Sequence, residues 1–326
     1  MRRSALLLAL LLAVVACSPA DSANTTTTAT ATTTTAVEPT TIADQDVFPV
    51  TVEADNGSVT IETRPEAIVS LSSTATEMLY AVGAGSQVVA VDDQSNYPNV
   101  APTTDLSGFT PNLEAILAYQ PDLVIVGFDP ADNPISEALE AVDVPTILLN
   151  AAPTIEDVYR QIEVIGLATG HPDPAAELNT RIRDSLEHIV ARVAGVGGGV
   201  TYYHELDATL FTVTSATFIG EIYGLLGLVN IADAADEDGS SGGFPQLSSE
   251  FIVAKDPDIV FLADADYGES LQTISQRPGW ESMTAVQNGS VIGLDADISS
   301  RWGPRIVEFL EVVARAVEEH VAAASG

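Results

Sequence analysis

Two glutamates occupy matching places in a pattern that occurs twice in this chain. Glu114 is followed by six residues, then Pro121-Asp122 and an apolar run, and Glu250 is followed by six residues, then Pro257-Asp258 and an apolar run. Each copy predicts a short helix with an outward carboxylate, a Pro-Asp turn that ends the helix, and a buried parallel strand. Carboxylates pair with arginines, so two matched ones suit docking against a two-fold partner. The alternative interpretation is that both are only solvated helix residues.

The duplicated helix, turn and strand predict two similar lobes. Strand and helix patterns alternate along the chain, which is typical of mostly parallel sheets with helices on both faces. We therefore predict an α/β fold. The expected strands are 67–71, 88–91, 123–126 and 146–149 in the first lobe, and 200–203, 259–262 and 291–294 in the second. The expected helices are 75–82, 111–119, 135–142 and 305–321.

A helical stretch separates the two lobes. Its apolar residues recur at helical spacing, beginning with Ile155, Val158 and Ile162, and a break is expected at 170–174. We assign 47–152 to an N-terminal lobe, 153–196 to the connecting segment and 197–322 to a C-terminal lobe. One long connecting helix is stiff, so we expect modest lobe motion and a ligand cleft between the lobes.

The N-terminus carries the signals of an exported lipoprotein. Arg2 and Arg3 precede an apolar run that ends at Ala16, which predicts a signal peptide over 1–16. The run is too short to span a membrane. Cys17 is the only cysteine and follows the expected cleavage point, so we predict that lipid is attached there. The Thr/Ala-rich stretch 17–46 then forms a tether, and the protein is predicted to be a monomer on the extracytoplasmic face of a bacterial membrane.

The charge balance is strongly acidic. There are 12 Lys and Arg residues against 46 Asp and Glu residues, a formal net charge of −34. Such a surface repels phosphate backbones, which excludes nucleic acid as an expected partner. It also keeps a protein soluble when salt screens its self-repulsion. A saline habitat is our hypothesis for this composition.

The candidate catalytic and metal motifs are weak. Gly239–Gly243 fits the pattern G-x-S-x-G but lacks the strand-to-helix elbow that a serine nucleophile needs. Gly195–Gly199 precedes a strand, whereas a phosphate-binding loop follows one. The histidines, which are His171, His188, His204 and His320, have no metal-ligand spacing. We predict no catalytic residue, metal site or resident cofactor, and we keep an extracytoplasmic enzyme as the alternative class.

Several motifs together resemble one known family. They are 64–79, 91–98, 111–114 with 121–124, 277–280 and 300–305, in that order along the chain. They resemble the cobalamin and ferric-siderophore binding proteins that supply ABC importers, from about residue 64 to residue 317. The resemblance implies two α/β lobes joined by one long helix. It also implies that Glu114 and Glu250 pair with arginines of a permease dimer.

The resemblance further implies a ligand site in the cleft. In the cobalamin-binding branch the corresponding positions include Gln94, Phe109, Phe128, Phe244 and Asp297. Two expected aromatics are not kept, because Gln94 stands where a Tyr is expected and Gly127 where a Trp is expected. The implied ligand is a cobalamin-like corrinoid that binds reversibly, with a ferric siderophore or haem as the alternatives.

The residue types themselves indicate how such a ligand is held. Flat apolar faces can come from Phe109, Phe128, Phe244 and Trp302, although core packing is the alternative for each. Hydrogen bonds to polar ligand edges can come from Asp297, Arg301 and the helix start at Ser73 and Thr74, with a structural ion pair as the alternative for Arg301. Tyr203 and His204 follow an apolar strand and are candidate axial groups if the ligand is haem.

Overall fold

The computed structural model describes residues 48–129 and 134–324. The predicted signal peptide, Cys17 and the Thr/Ala-rich tether lie outside the described residues. Within the described ranges, no helix combines the length and the apolar character needed to cross a membrane.

Strands and helices alternate as the sequence predicts. The strands are β1 (Val50–Ala54), β2 (Gly57–Ile61), β3 (Ile68–Leu71), β4 (Val88–Val91), β5 (Leu123–Val126), β6 (Thr146–Leu148), β7 (Thr201–Glu205), β8 (Val229–Asn230), β9 (Ile259–Leu262) and β10 (Val291–Gly293). The helices are α1 (Ser73–Ala81), α2 (Leu113–Leu117), α3 (Ile135–Glu140), α4 (Ile155–Thr169), α5 (Pro172–Arg192), α6 (Phe218–Gly224), α7 (Ser249–Lys255), α8 (Leu271–Ile274), α9 (Thr284–Asn288), α10 (Ala296–Ser300) and α11 (Ile306–Ala324).

The two lobes have sheets of the same topology. The N-terminal sheet has the order β4-β3-β5-β6 and the C-terminal sheet has the order β8-β7-β9-β10, each with four parallel strands. The central strands β3, β5 and β9 are buried along their whole length, as expected for parallel strands covered by helices on both faces. The predicted α/β fold with two similar lobes is confirmed.

The turn before the third strand of each sheet is duplicated in its backbone geometry. Gln120 has φ 53° and Asp256 has φ 47°, and each directly precedes the proline of the repeat. These two residues therefore adopt the left-handed conformation that ends a helix and redirects the chain into a strand.

The aspartate of each Pro-Asp pair has a second role that the sequence pattern did not reveal. Asp122 accepts hydrogen bonds from the backbone N–H groups of Glu66 and Ala67 at 2.7 and 2.9 Å, just before β3. Asp258 accepts from the backbone N–H and the hydroxyl of Thr201 at 2.8 and 2.7 Å, at the start of β7. Each carboxylate thus links the start of β5 or β9 to the start of the neighbouring strand, β3 or β7.

The connecting segment consists of two helices. The break predicted at 170–174 is where α4 ends, at Gly170 with φ 77°, and where α5 begins, at Pro172. Helix α4 packs against β1 and α1 of the N-terminal lobe, whereas the longer α5 packs against both α4 and α11. The two helices approach closely at Gly166, where a Cβ atom would lie 2.3 Å from that of Ala175.

Several elements were missed by the sequence analysis. The antiparallel hairpin of β1 and β2 packs on α4, and β8 adds a fourth strand to the C-terminal sheet. The other missed elements are the short helices α6, α8, α9 and α10. Helices of one or two turns and strands of a few residues contain too few apolar residues to define a helical or a strand period.

Candidate ligand-binding cleft

A cavity of about 620 Å³ lies between the lobes. In the N-terminal lobe its walls follow the ends of β3, β4, β5 and β6, and in the C-terminal lobe they follow β9 and β10. Loops at the carboxyl ends of parallel strands are the usual ligand sites of such sheets. Among the lining residues are Ser73, Thr74, Asp92, Gln94, Phe109, Phe128, Tyr267, Asp297, Arg301 and Trp302.

Aromatic rings with free faces form part of this cavity. Phe109 and Phe128 are 68% and 47% exposed, and their ring centroids are 6.5 Å apart at an angle of 48°. Ser107 fixes the loop around Phe109, because its hydroxyl accepts hydrogen bonds from the backbone N–H groups of Phe109 and Thr110 at 3.3 and 3.1 Å. Tyr267 and Trp302 contribute rings from the C-terminal lobe. Exposed aromatic rings grouped in a concave site favour a ligand with flat apolar surface.

The start of α1 contributes polar groups to the cavity. Ser72 caps the helix by accepting a hydrogen bond from the Ala75 backbone N–H at 3.2 Å, and Ser73 and Thr74 follow in the first turn. The N–H groups at the first turn of a helix favour ligand oxygens. A Cβ atom on Gly127 would lie 2.7 Å from the Ser72 hydroxyl oxygen. A side chain at 127 would therefore displace Ser72, the residue that caps α1.

Asp92 brings a buried carboxylate to the wall of the cavity. Its Oδ1 accepts a hydrogen bond from the Ser95 hydroxyl at 2.5 Å, and its Oδ2 lies 2.6 Å from where a Cβ atom on Gly108 would be. Burial raises the pKa of Asp92, with the Ser95 hydrogen bond opposing that effect. The glycine at 108 leaves the room that this carboxylate needs.

Arg301 lines the cavity, but most of its hydrogen-bond donors are engaged by the protein. Its Nη1 donates to Glu77 and Asn96 at 2.8 and 2.9 Å, and its Nη2 donates to the Gln94 carbonyl and to Asp297 at 3.0 and 2.6 Å. The guanidinium therefore acts as a structural ion-pair partner, the alternative interpretation of its role.

Tyr203 and His204 do not line the cavity, contrary to the expectation that they face the cleft. Both are fully buried in the C-terminal lobe. The Tyr203 ring packs edge-on against Trp280 with centroids 6.2 Å apart, and His204 Nδ1 lies 2.8 Å from the Tyr223 hydroxyl. Burial lowers the pKa of His204 to about 3. The physical reason is that β7 is an inner strand with both faces covered, so neither side chain reaches the cleft.

Phe244 also lies outside the cavity lining. It is half exposed in the turns that precede α7, so it does not supply the cleft with the apolar face expected of it. The wall contributed by the C-terminal lobe contains Tyr267 instead, which the sequence analysis missed. Tyr267 belongs to a short turn directly after β9. Its place after a parallel strand is the signal that identifies it as a cleft residue.

Glu114 and Glu250 have equivalent surroundings. Each is the second residue of its helix, after a capping side chain on Asn112 or Ser248 that accepts a backbone N–H at 3.0 or 3.2 Å. Both carboxylates are exposed, and neither forms an ion pair within residues 48–129 and 134–324. They precede β5 and β9, which occupy the same position in their sheets.

The weak catalytic motif is also explained by the structure. Residues 239–243 form turns, with no strand before them and no helix directly after them. Asp236 orders these turns by accepting hydrogen bonds from the backbone N–H groups of Ser241 and Gly243 at 2.7 and 2.9 Å. In the described part of the chain, no group of three or more His, Cys, Asp or Glu residues is arranged to hold a metal ion.

Comparison with known proteins identifies the family. Residues 68–298 match the sequence model of the family described as "Periplasmic binding protein". The chain belongs to this periplasmic binding protein family. The resemblance drawn from its motifs is thereby confirmed, and the chain is a solute-binding protein of the kind that serves ABC importers. The family consists of binding proteins.

Individual relatives agree with this assignment. An uncharacterized ABC transporter substrate-binding lipoprotein of Bacillus subtilis is 28% identical over 83% of this chain and 86% of its own length. A cobalamin-binding protein of Halobacterium salinarum is 31% identical over 82% of this chain and 74% of its own. The crystal structure of a periplasmic vitamin B12 binding protein of Vibrio cholerae superposes with a TM-score of 0.61 at 27% identity, covering 80% of this chain and 98% of that one.

Proposed function

We propose that this periplasmic binding protein captures a cobalamin-like corrinoid in the cleft between its lobes and delivers it to an ABC permease. The observation that carries the proposal is the group of exposed aromatic rings at the strand ends of both lobes. A corrin macrocycle offers broad apolar faces with polar groups at its edge. Rings such as Phe109 and Phe128 suit the faces, and the start of α1 and Asp92 suit the edge.

The relatives support a corrinoid more than the other chelates. The relative from Halobacterium salinarum carries the name cobalamin-binding protein, and a relative from Vibrio cholerae that is 29% identical over 76% of this chain carries the name vitamin B12-binding protein. An anionic ferric siderophore is less well matched, because Arg301, the cation in the lining, is already paired with carboxylates.

Haem is the alternative ligand that one observation favours. The original axial candidates, Tyr203 and His204, are buried, but Tyr267 places an exposed phenol in the lining. A tyrosine oxygen is a known axial ligand of haem iron. The spectrum of bound haem reports its axial ligation, so the two ligands are separable by experiment.

The binding test uses absorbance spectra of the purified protein. The protein is incubated with cyanocobalamin, haem or a ferric siderophore, and free ligand is then removed. We expect the cyanocobalamin spectrum to remain with the protein. The double variant Phe109→Ala/Phe128→Ala should bind at least tenfold more weakly, since each aromatic contact contributes roughly 1–3 kcal/mol. Phe244→Ala is the matched control and should bind normally. Retention of haem alone would overturn the corrinoid assignment.

We further propose that the protein docks on a permease dimer through Glu114 and Glu250. Their exposure, their lack of ion-pair partners among the described residues and their equivalent positions on α2 and α7 support this. Replacing both with Arg would set like charges against permease arginines, which costs several kcal/mol in association. Uptake should fall steeply while ligand affinity of the isolated protein stays the same. Uptake at the parental rate in the double variant would show that the two glutamates are only solvated helix residues.

We also propose that lipid is attached at Cys17 and that the protein is monomeric and extracytoplasmic. The relative from Bacillus subtilis is named a lipoprotein, which supports it. Mass spectrometry of the membrane-bound protein would detect the acylated Cys17, and Cys17→Ser should release the protein from the membrane fraction.

A further inference from the structure

A buried ion cluster joins the two lobes beside the cavity. Glu77 on α1 belongs to the N-terminal lobe, whereas Arg301 and Arg305 lie between α10 and α11 in the C-terminal lobe. Arg301 donates to Glu77 Oε1 at 2.8 Å. Arg305 donates through Nε to Oε2 at 2.9 Å and through Nη2 to Oε1 at 2.7 Å. Both oxygens of Glu77 are thus held by the opposite lobe.

Further contacts link the same two segments. Asn96 of the N-terminal lobe donates to Asp297 Oδ2 at 2.6 Å, and the Arg305 guanidinium lies 4.3 Å from the centre of the Tyr97 ring. A Cβ atom on Gly303 would lie 3.6 Å from a methyl carbon of Thr74, so the backbone of the C-terminal lobe passes close to the start of α1. The lobes therefore meet here through charges, an aromatic ring and close backbone packing.

Because the cluster is buried, each of its charges depends on its partner for stabilisation. The side chains of Glu77, Arg301 and Arg305 are 1%, 8% and 12% exposed. With Asp297, the groups that are directly hydrogen-bonded to one another are two carboxylates and two guanidinium groups, so the formal charges of this bonded set balance. Removal of Glu77 leaves two buried guanidinium groups without that anionic partner. Separation of the lobes breaks both ion pairs of Glu77 at once.

The cluster also forms part of the wall of the cavity. Arg301, Asp297 and Gln94 line the cavity, and Arg301 binds both the Asp297 carboxylate and the Gln94 carbonyl. The separation of these groups across the cleft is thus set by one guanidinium, and Glu77 holds that guanidinium from behind. Glu77 itself does not line the cavity.

We propose that Glu77 is a positioning residue for the ligand cleft. By holding Arg301 and Arg305 it keeps the two lobes at one separation in the ligand-free protein, so that the cleft is already shaped for its ligand. The proposal rests on the proposed function only in taking the cleft as the ligand site. The lobe separation can be measured without any ligand.

The test measures the distance between the lobes by pulsed electron paramagnetic resonance. Spin labels are attached at Val142→Cys in the N-terminal lobe and Gln272→Cys in the C-terminal lobe, both exposed positions, in the full chain with Cys17→Ser. We expect one narrow distance distribution for the parent. Glu77→Gln, which keeps the shape and removes the charge, should add a population of longer distances.

Glu311→Gln is the matched control. Glu311 pairs with Arg192 at 3.0 Å and links α5 to α11 away from the cleft, with both side chains about one-third exposed. Its distance distribution should match that of the parent. A folded Glu77→Gln protein with the parental distribution would overturn the proposal. If Glu77→Gln does not fold, Arg305→Gln is judged by the same criterion.

A second measurement connects lobe separation to binding. With cyanocobalamin as the probe, Glu77→Gln should bind about tenfold more weakly if the competent separation is populated about one-tenth of the time. A parent that does not bind cyanocobalamin would contradict the proposed function but leave the distance result standing. A broadened distribution with unchanged cyanocobalamin affinity would overturn the positioning role.

Discussion

Two buried charge clusters in this protein differ in how their charges are balanced. The cluster between the lobes contains Glu77 and Asp297 with Arg301 and Arg305, and its directly hydrogen-bonded charges are matched. A second cluster, inside the C-terminal lobe, contains Arg277 with the carboxylates Glu205, Glu269 and Asp264. Arg277 donates to both oxygens of Glu205 at 2.7 Å and to Glu269 at 2.9 Å. One guanidinium therefore pairs with two carboxylates, and Asp264 lies close enough to feel the charges of Glu205, Glu269 and Arg277 without bonding to any of them.

The surplus negative charge falls on Asp264. This residue is buried, and neither of its carboxylate oxygens has a hydrogen-bond partner in the described structure. Burial raises the pKa of Asp264 from 3.8 to about 6, and the charge of Glu205 adds to this effect. The comparison shows that burial of charge is tolerated in two ways. Between the lobes the charges pair, whereas in the second cluster one carboxyl group takes up a proton more readily.

The largest expected effect comes from breaking the balanced cluster. Glu77→Gln should lower the free energy of unfolding by about 3 kcal/mol, because two buried guanidinium groups lose their anionic partner. Glu311→Gln, which disturbs a partly exposed ion pair near the surface, should cost less than about 1 kcal/mol. Chemical denaturation of both variants measures the difference. Equal costs for the two substitutions would show that the interlobe cluster is no more important than a surface pair.

A substitution in the second cluster is expected to stabilise the protein, whereas Glu77→Gln destabilises it. Asp264→Asn removes an unpaired buried charge and should raise the free energy of unfolding by about 1–2 kcal/mol at pH 7.5, where the carboxyl group is ionised. Because folding raises this pKa, the penalty for the charge decreases as the pH falls below about 6. The advantage of the variant should therefore shrink between pH 6 and pH 4. Denaturation curves of both proteins across this pH range test the prediction. A difference in unfolding free energy that does not change with pH would contradict it.

The smallest expected effect concerns salt. The net charge of −34 resides mainly on the surface, so molar salt should screen self-repulsion and raise the melting temperature by a few degrees. The difference between Asp264→Asn and the parent should persist in salt, since buried charges are screened much less. A melting temperature that is the same in low and molar salt would argue against the saline-habitat hypothesis.

Much of the fold was predictable because its signals are local. The apolar runs after Pro121 and Pro257 identify inner strands, and helix lengths follow from the spacing of apolar residues. The resemblance also identified Phe109 and Phe128 as cleft residues, and both line the cavity. Tyr203, His204 and Phe244 were placed wrongly because the direction of a side chain depends on which strands and helices cover it. That information is spread over segments far apart in the sequence.

The sequence by itself determined the two-lobed α/β fold, the matched glutamates and the acidic surface. Each of these depends on residue type and on spacing along a short stretch of chain. Only the tertiary structure decided that Arg301 pairs with Glu77 of the opposite lobe, that Asp264 is left without a hydrogen-bond partner and that Tyr267 lines the same cavity as Phe109 and Phe128. Glu77 and Arg301 are 224 positions apart. A charge acquires its role from the partners that folding brings to it and from the water that folding removes.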